Sequence, residues 1–228
     1  MKTVFISGAN RGLGFEFVRQ YAAAGWRVIA GCRDPGRADA LNALPNTQVV
    51  TLNVSDSQSI ATAARAVSET TIDLLINNAG IYGSTAGGQT QSLDLIDLDV
   101  WTTVLRTNVM GPLALTRALL PVLSREAVIG ILSSTLGSIA GNTQGGLYAY
   151  RSAKAAVNMV GRSLAADLKP RGIAVVLLHP GWVRTDMGGP RAPVSPVDSI
   201  AGMRQVLDSV TLASTGRFFG WDGAELAW

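Results

Sequence analysis

Tyr150 and Lys154 are the two residues whose types and spacing could most readily do chemistry together. Four positions apart, they share one face of a helix, about one turn from each other. The sequence from Ser152 through Met159 is Ala-rich and favours helix. A cation beside a phenol favours the phenolate, so a group with a free pKa of about 10 becomes usable as a general acid or base. The pair alone is common, and an ordinary helix face is its more frequent meaning. Its meaning depends on what other segments bring to the same place.

The first such segment lies at the N-terminus. Thr3-Val4-Phe5-Ile6-Ser7 reads as a strand, Gly8 to Gly14 as a glycine-rich turn, and Phe15 to Ala24 as a helix stopped by Gly25. Backbone N–H groups at such a helix start attract phosphate, and absent Cβ atoms let it approach. The spacing is Gly-x-x-x-Gly-x-Gly, unlike the commoner Gly-x-Gly-x-x-Gly. Arg27 to Cys32 reads as the second strand. An acid near its end would hold a ribose 2′-hydroxyl, but Cys32 and then Arg33 stand there. Arg33, with Arg11 in the glycine turn, suits a 2′-phosphate and favours NADP over NAD.

Further strands are expected at Thr47–Asn53, Ile72–Ile76, Ala127–Leu132 and Ile173–Leu178, with a last one near Phe218. Ser55 and Gln58 resemble a capping box opening a helix around Ile60 to Val67. Gly83 to Gln91 reads as loop. A helix over Asp99–Leu123 is expected to bend at Gly111-Pro112, just after Asn108. The Tyr150 helix should end near Leu168, and another should run from Asp198 to about Leu212. Alternating strands and helices predict one α/β domain over residues 1–228, a doubly wound, Rossmann-like parallel sheet of about seven strands with helices on both faces. Asn77-Asn78-Ala79-Gly80, Ser133-Ser134 and His179-Pro180-Gly181 then all fall where strands end, on the edge of the sheet that binds ligands.

Composition narrows the classes. The chain has 228 residues, 47% hydrophobic and 15% charged, which fits a buried parallel sheet. A net charge of +3 with no basic run argues against nucleic acid. One cysteine, Cys32, excludes an internal disulfide, and one histidine, His179, gives no basis for a zinc site. No apolar run approaches the ~18 residues of a membrane span, and Met1-Lys2 leads straight into a strand. A cytoplasmic protein without metal is expected. Hydrolase chemistry is disfavoured because Gly-x-Ser-x-Gly is absent.

Taken in order, Gly8/Gly12/Gly14, Asn77 to Gly80, Asn108, Ser133-Ser134, Tyr150-x-x-x-Lys154 and Pro180-Gly181 resemble the short-chain dehydrogenase/reductase family. The stretch from His179 to Gly189 and the Asp222 to Trp228 ending are similar to its C-factor and sniffer-type carbonyl reductase branch. The resemblance implies NADP(H)-dependent interconversion of a carbonyl compound and an alcohol. Tyr150 would be the acid/base on the substrate oxygen, Ser134 a second donor to it, Lys154 the partner of the nicotinamide ribose that also lowers the Tyr150 pKa, and Asn108 part of a proton relay. Cofactor contacts would come from Gly8, Asn10, Arg11, Gly12, Leu13, Gly14, Arg33, Asn53, Val54, Asn77, Ala79, Gly80, Tyr150, Lys154, Pro180, Gly181, Val183 and Thr185. Tyr82, Leu136, Tyr148, Trp182 and Met187 are candidates for a hydrophobic substrate pocket. A second reading, an NADP(H)-binding signalling protein without turnover, also fits this branch. The family often forms homodimers or homotetramers, and the sequence does not choose among assemblies.

Some positions depart from the family pattern. Ser7 stands where Thr is usual, and Asn53 where an Asp usually meets the adenine amine. Sixteen positions separate Ser134 from Tyr150, so the Gly141–Gly146 stretch must absorb extra chain. The segment after Thr185 is short, which implies a small lid.

Overall fold

The computed structural model describes residues 1–83 and 91–228. Most of the expected Gly83–Gln91 loop therefore lies outside the described residues. Seven strands form one sheet: β1 Thr3–Ser7, β2 Arg27–Cys32, β3 Thr47–Thr51, β4 Ile72–Asn77, β5 Leu123–Leu132, β6 Ala174–His179 and β7 Phe218–Gly220. Their order is β3-β2-β1-β4-β5-β6-β7, and every neighbouring pair is parallel. The order reverses between β1 and β4, which puts the ligand crevice of such a sheet beside Ser7 and Asn77.

The helices are α1 Gly12–Ala23, α2 Asp39–Asn42, α3 Ser57–Ala66, α4 Leu98–Leu105, α5 Gly111–Leu119, α6 Tyr148–Leu168 and α7 Pro196–Ser209. Strand residues alternate between two apolar layers, because successive side chains leave opposite faces of the sheet. Val4, Ile6, Leu74, Ile76, Val176 and Leu178 pack with Phe17, Tyr21 and Met203 of α1 and α7. Phe5, Leu75, Ile129, Ile131 and Val175 pack with Ile60, Leu115, Val157 and Leu164 of α3, α5 and α6. All five residues of β1 are buried. Among the described residues no helix is long and apolar enough to cross a membrane.

Three local expectations need correction. The cap of α3 is Asp56, whose side chain accepts from Gln58 N–H, rather than Ser55. Ser55 turns back instead, and its hydroxyl donates to Asn53 Oδ1. The helix expected over Asp99–Leu123 is divided by a π turn at Arg106–Met110, so the irregularity precedes Pro112 rather than centring on it. Pro112 opens α5, where its missing N–H is tolerated. Gly111 lets α5 approach closely, since a Cβ there would lie 3.0 Å from Val54. Finally, β5 begins at Leu123, four residues earlier than the apolar run at Ala127 suggests.

Candidate active site

The glycine turn joins β1 to α1 at the switch point. A Cβ on Gly8 would lie 2.9 Å from Ala79 Cα, and one on Gly14 only 2.0 Å from Gly8 O. The turn is therefore pressed against both the end of β4 and its own strand. Asn78 straps it there, with Nδ2 donating to Ser7 O at 2.9 Å and Gly8 O at 3.0 Å. Ser7 Oγ accepts from Asn78 N and Ala79 N, each at 3.1 Å. The hydroxyl of Ser7 thus ties β1 to the β4 turn, as a threonine hydroxyl could.

α1 starts without a side-chain cap and with no acid in its first turn. Its leading N–H groups are left for an anion. Asn10, Arg11 and Gly12 are exposed around them and Leu13 is half-buried. Gly12 faces Thr185, whose Cγ2 would lie 3.7 Å from an added Cβ. These residues fit a dinucleotide diphosphate: an open, uncapped helix start with glycine on its near side.

Arg33 follows β2 and is exposed. Arg11 instead reaches Asp186 at 3.1 Å, in a pair whose side chains are 66% and 82% exposed. An ion pair this exposed is worth ~0–1 kcal/mol and is readily exchanged for a phosphate. The Asn53 amide oxygen accepts from both Ser55 N and Ser55 Oγ, so it is engaged where an adenine amine was expected. Val54 is buried in the apolar layer, which leaves only its main chain for a ligand. The Asn77 side chain also turns away: its Nδ2 donates to Thr116 of α5 at 3.2 Å. Ala79 and Gly80 are half-buried at the turn. Pro180 and Gly181 follow β6, Val183 is buried and bridges to Val194, and Thr185 Oγ1 accepts from Gly188 N.

α6 brings Tyr150 and Lys154 to the same edge, at 8% and 6% exposure. Lys154 Nζ donates to Leu132 O at 2.8 Å and lies 5.6 Å from the centre of the Tyr150 ring. The two serines after β5 separate. Ser133 Oγ points inward to Asn158 Oδ1, whereas Ser134 Oγ accepts from Leu136 N and closes a short turn. Tyr82 lays its ring 4.8 Å from that of Tyr150, tilted by 40°. Asn108 uses both ends of its amide on Ile81, accepting from N and donating to O at 2.8 Å each.

The electrostatics differ from the simple phenol-and-cation expectation. Burial pushes the Tyr150 phenol up to about 12; the Tyr82 phenol adds to this and the Ser134 hydroxyl opposes it. Burial also pushes the Lys154 ammonium down to about 8. Burial, not a neighbouring cation, sets the phenol, which is held protonated rather than ionised. Burial keeps the His179 imidazole below its ordinary value, partly offset by Asp222 and reinforced by Lys154.

Lys154 makes stability depend on pH. The unfolded chain holds this proton to 10.5, the folded chain only to about 8. Between these limits the unfolded state binds more protons, so stability rises with pH. The stability of wild type relative to Lys154→Met should increase by on the order of 1–2 kcal/mol between about pH 7 and about pH 9.5. Denaturant titrations at each pH measure it, and a constant difference would contradict a desolvated Lys154.

The expected substrate pocket is divided. Tyr82 packs on Tyr150, and Trp182 and Met187 are 57% and 50% exposed. Leu136 and Tyr148 instead line a cleft of about 270 Å³ with Trp101, Ile139 and Arg151 on the outer face of α6. Tyr148 turns its ring towards Trp101, 6.5 Å away. Two residues that sequence reasoning left out of the site also matter, Asn78 and Gln91. Among the described residues no cluster of three or more His, Cys, Asp or Glu could hold a metal.

A family model described as short chain dehydrogenase matches residues 2–194, and the chain belongs to the short-chain dehydrogenase/reductase family. C-signal of Myxococcus xanthus is 45% identical over 159 residues, covering 69% of this chain and 93% of that protein. The NADPH-bound carbonyl reductase from chicken fatty liver superposes with a TM-score of 0.91 at 36% identity, covering 100% of this chain and 99% of that one. Carbonyl reductase Sniffer of D. melanogaster does so with a TM-score of 0.90 at 31% identity, covering 100% of both. Within the family, the chain falls in the C-factor and sniffer-type branch.

Proposed function

We propose that this chain is an NADP(H)-dependent oxidoreductase that interconverts a ketone or aldehyde and its alcohol. The observation that carries the reading is the buried Tyr150 and Lys154 pair, beside Ser134, on the sheet edge that also holds the uncapped start of α1. The NADPH-bound carbonyl reductase of the same fold supports it. When bound, the nicotinamide supplies or accepts the hydride.

The chain's own residues handle the oxygen and its proton. Tyr150 gives its proton to the carbonyl oxygen during reduction and takes one from the alcohol during oxidation. A phenol held up at about 12 is protonated at neutral pH, the state that reduction requires. Ser134 Oγ accepts from Leu136 N, so its own hydrogen remains a donor, towards the Tyr150 oxygen and the substrate oxygen on which charge develops. Lys154 has three N–H donors; with one on Leu132 O, two remain for the cofactor's ribose hydroxyls. The Asn108 amide is engaged with Ile81, so a proton relay past this residue would use its main chain in the π turn.

Arg33 and Arg11 would meet the 2′-phosphate, Arg11 by leaving Asp186. Arg33→Asp should weaken NADPH binding by about 10–100-fold and leave NADH within about threefold, since a charged hydrogen bond to phosphate contributes ~1.5–3 kcal/mol. Fluorescence titration with each cofactor measures this. Equal losses for both would remove Arg33 from the phosphate site.

Aromatic and apolar side chains near Tyr150, chiefly Tyr82, favour a hydrophobic carbonyl substrate. The test is a panel of aliphatic and aromatic aldehydes and ketones, assayed with NADPH and with NADH. Turnover with NADPH is expected. Tight NADPH binding with silence across the panel would oppose an enzyme and favour a signalling role, such as the name of the M. xanthus relative carries.

A further inference from the structure

α6 carries the two central side chains, yet it starts without a cap of its own. Leu147 before it has φ +49° and makes no side-chain capping bond. Gly145 and Gly146 also have positive φ, so the approach to the helix is an irregular turn. The N–H groups of a first helical turn have no partner within the helix. Leaving one buried and unpaired costs ~1–3 kcal/mol.

Tyr150 N–H belongs to that first turn, and its partner comes from 59 positions away. Gln91 Oε1 accepts from it at 2.9 Å in a buried bond. The other end of the same amide is also engaged. Gln91 Nε2 donates to Tyr82 O at 2.6 Å and to Gly83 O at 3.2 Å. The three bonds fix the orientation of the amide, because Tyr150 N–H requires an acceptor and the two carbonyls require a donor. Gln91 is 8% exposed.

The loop that Gln91 grips carries the ring packed on Tyr150. Asn108 holds Ile81, Gln91 holds Tyr82 and Gly83, and Tyr82 lies 4.8 Å from the Tyr150 ring. Gly83 is tightly seated, since a Cβ there would lie 2.3 Å from Val104 Cγ2 of α4 and 3.3 Å from Gln91 Nε2. One buried amide therefore joins the helix turn bearing the phenol to the loop that lines it.

We propose that Gln91 is a positioning residue for Tyr150. It caps α6 from outside the helix and holds the Tyr82 loop in register with it, so that the phenol keeps one direction as substrate arrives. The inference rests on the reading of Tyr150 as the acid/base, and goes beyond it by naming what aims that group.

Gln91→Met keeps volume and removes all three bonds. It is expected to lower kcat by about 10–100-fold, the cost of a small misalignment, with NADPH affinity within about twofold. Amide hydrogen exchange gives a readout independent of turnover. In Gln91→Met, residues 148–152 should exchange about tenfold faster or more, while the rest of α6 keeps the wild-type rate. Gln91→Glu retains an acceptor for Tyr150 N–H and should restore part of the protection at 148–152. Unchanged exchange at 148–152 would overturn the proposal. So would a uniform rise along α6 with a matching fall in Tm, which marks a merely structural role. If wild type turns over no carbonyl substrate, the acid/base reading fails, while the exchange data still decide whether Gln91 holds the start of the helix.

Discussion

Tyr150→Phe lowers carbonyl reduction by about a thousandfold, within the 10²–10⁴ range of a lost general acid, and leaves NADPH binding within about twofold. The substitution removes only the hydroxyl. The ring keeps its contact with Tyr82, 4.8 Å away, and the Lys154 ammonium still lies 5.6 Å from its centre. Lys154 keeps its bond to Leu132 O. Ser134 keeps its turn, because that turn rests on Leu136 N rather than on the phenol. Fold and cofactor site should therefore survive, and the loss should appear in kcat. Steady-state kinetics beside a binding titration separate these effects. Activity within a few-fold of wild type would show that another group protonates the oxygen. Tyr148 is a poor substitute, since its ring is turned towards Trp101 on α4.

The second large effect is structural. Gly14→Ala should destabilise the protein by about 3 kcal/mol or more, a fall in Tm of roughly 6–12 °C for a chain of this size. The added carbon would sit 2.0 Å from Gly8 O and 2.6 Å from Asn78 Nδ2. Neither neighbour can retreat easily. Asn78 Nδ2 is bonded to Ser7 O and Gly8 O, and Gly8 is itself pressed against Ala79. α1 would have to move away from β1, and the N–H groups proposed to meet the diphosphate would move with it. NADPH affinity should fall more than tenfold, by the loss of about 1.4 kcal/mol or more. Thermal denaturation with a cofactor titration measures both. A Tm within a degree or two of wild type would mean that the turn is far looser than its geometry indicates.

The parts of this molecule legible in the sequence are those set by local pattern. The β2 bounds coincide with the apolar run Arg27–Cys32, because a strand buried on both faces leaves an uninterrupted apolar signature. The glycine turn declares itself because three glycines between a strand and a helix have few other uses. The end of α6 near Leu168 follows from Pro170 and Gly172. Long-range bonding leaves no such local mark. Asn78 looks like an ordinary turn residue until the fold lays Ser7 and Gly8 beside it. Gln91 has no local signature because its bond to Tyr150 crosses 59 positions. Ser55 and Gln58 satisfy the spacing of a capping box, but Asp56 lies closer to the helix start and takes the bond. Arg11 reads as a phosphate ligand, and only the fold shows Asp186 within its reach. At Tyr150 and Lys154, spacing reveals a neighbouring cation but not the depth of burial, and burial dominates both groups.

The proposed reaction at the Tyr150 cleft is reduction of a carbonyl group with a hydride from NADPH. The most direct measurement supplies NADPH deuterated on the transferred C4 position, together with a hydrophobic ketone or aldehyde, and examines the product by mass spectrometry. An alcohol carrying one deuterium on the former carbonyl carbon, formed by wild type and nearly absent with Tyr150→Phe, is the predicted result. No alcohol from any member of the panel, or an alcohol without deuterium, would contradict it.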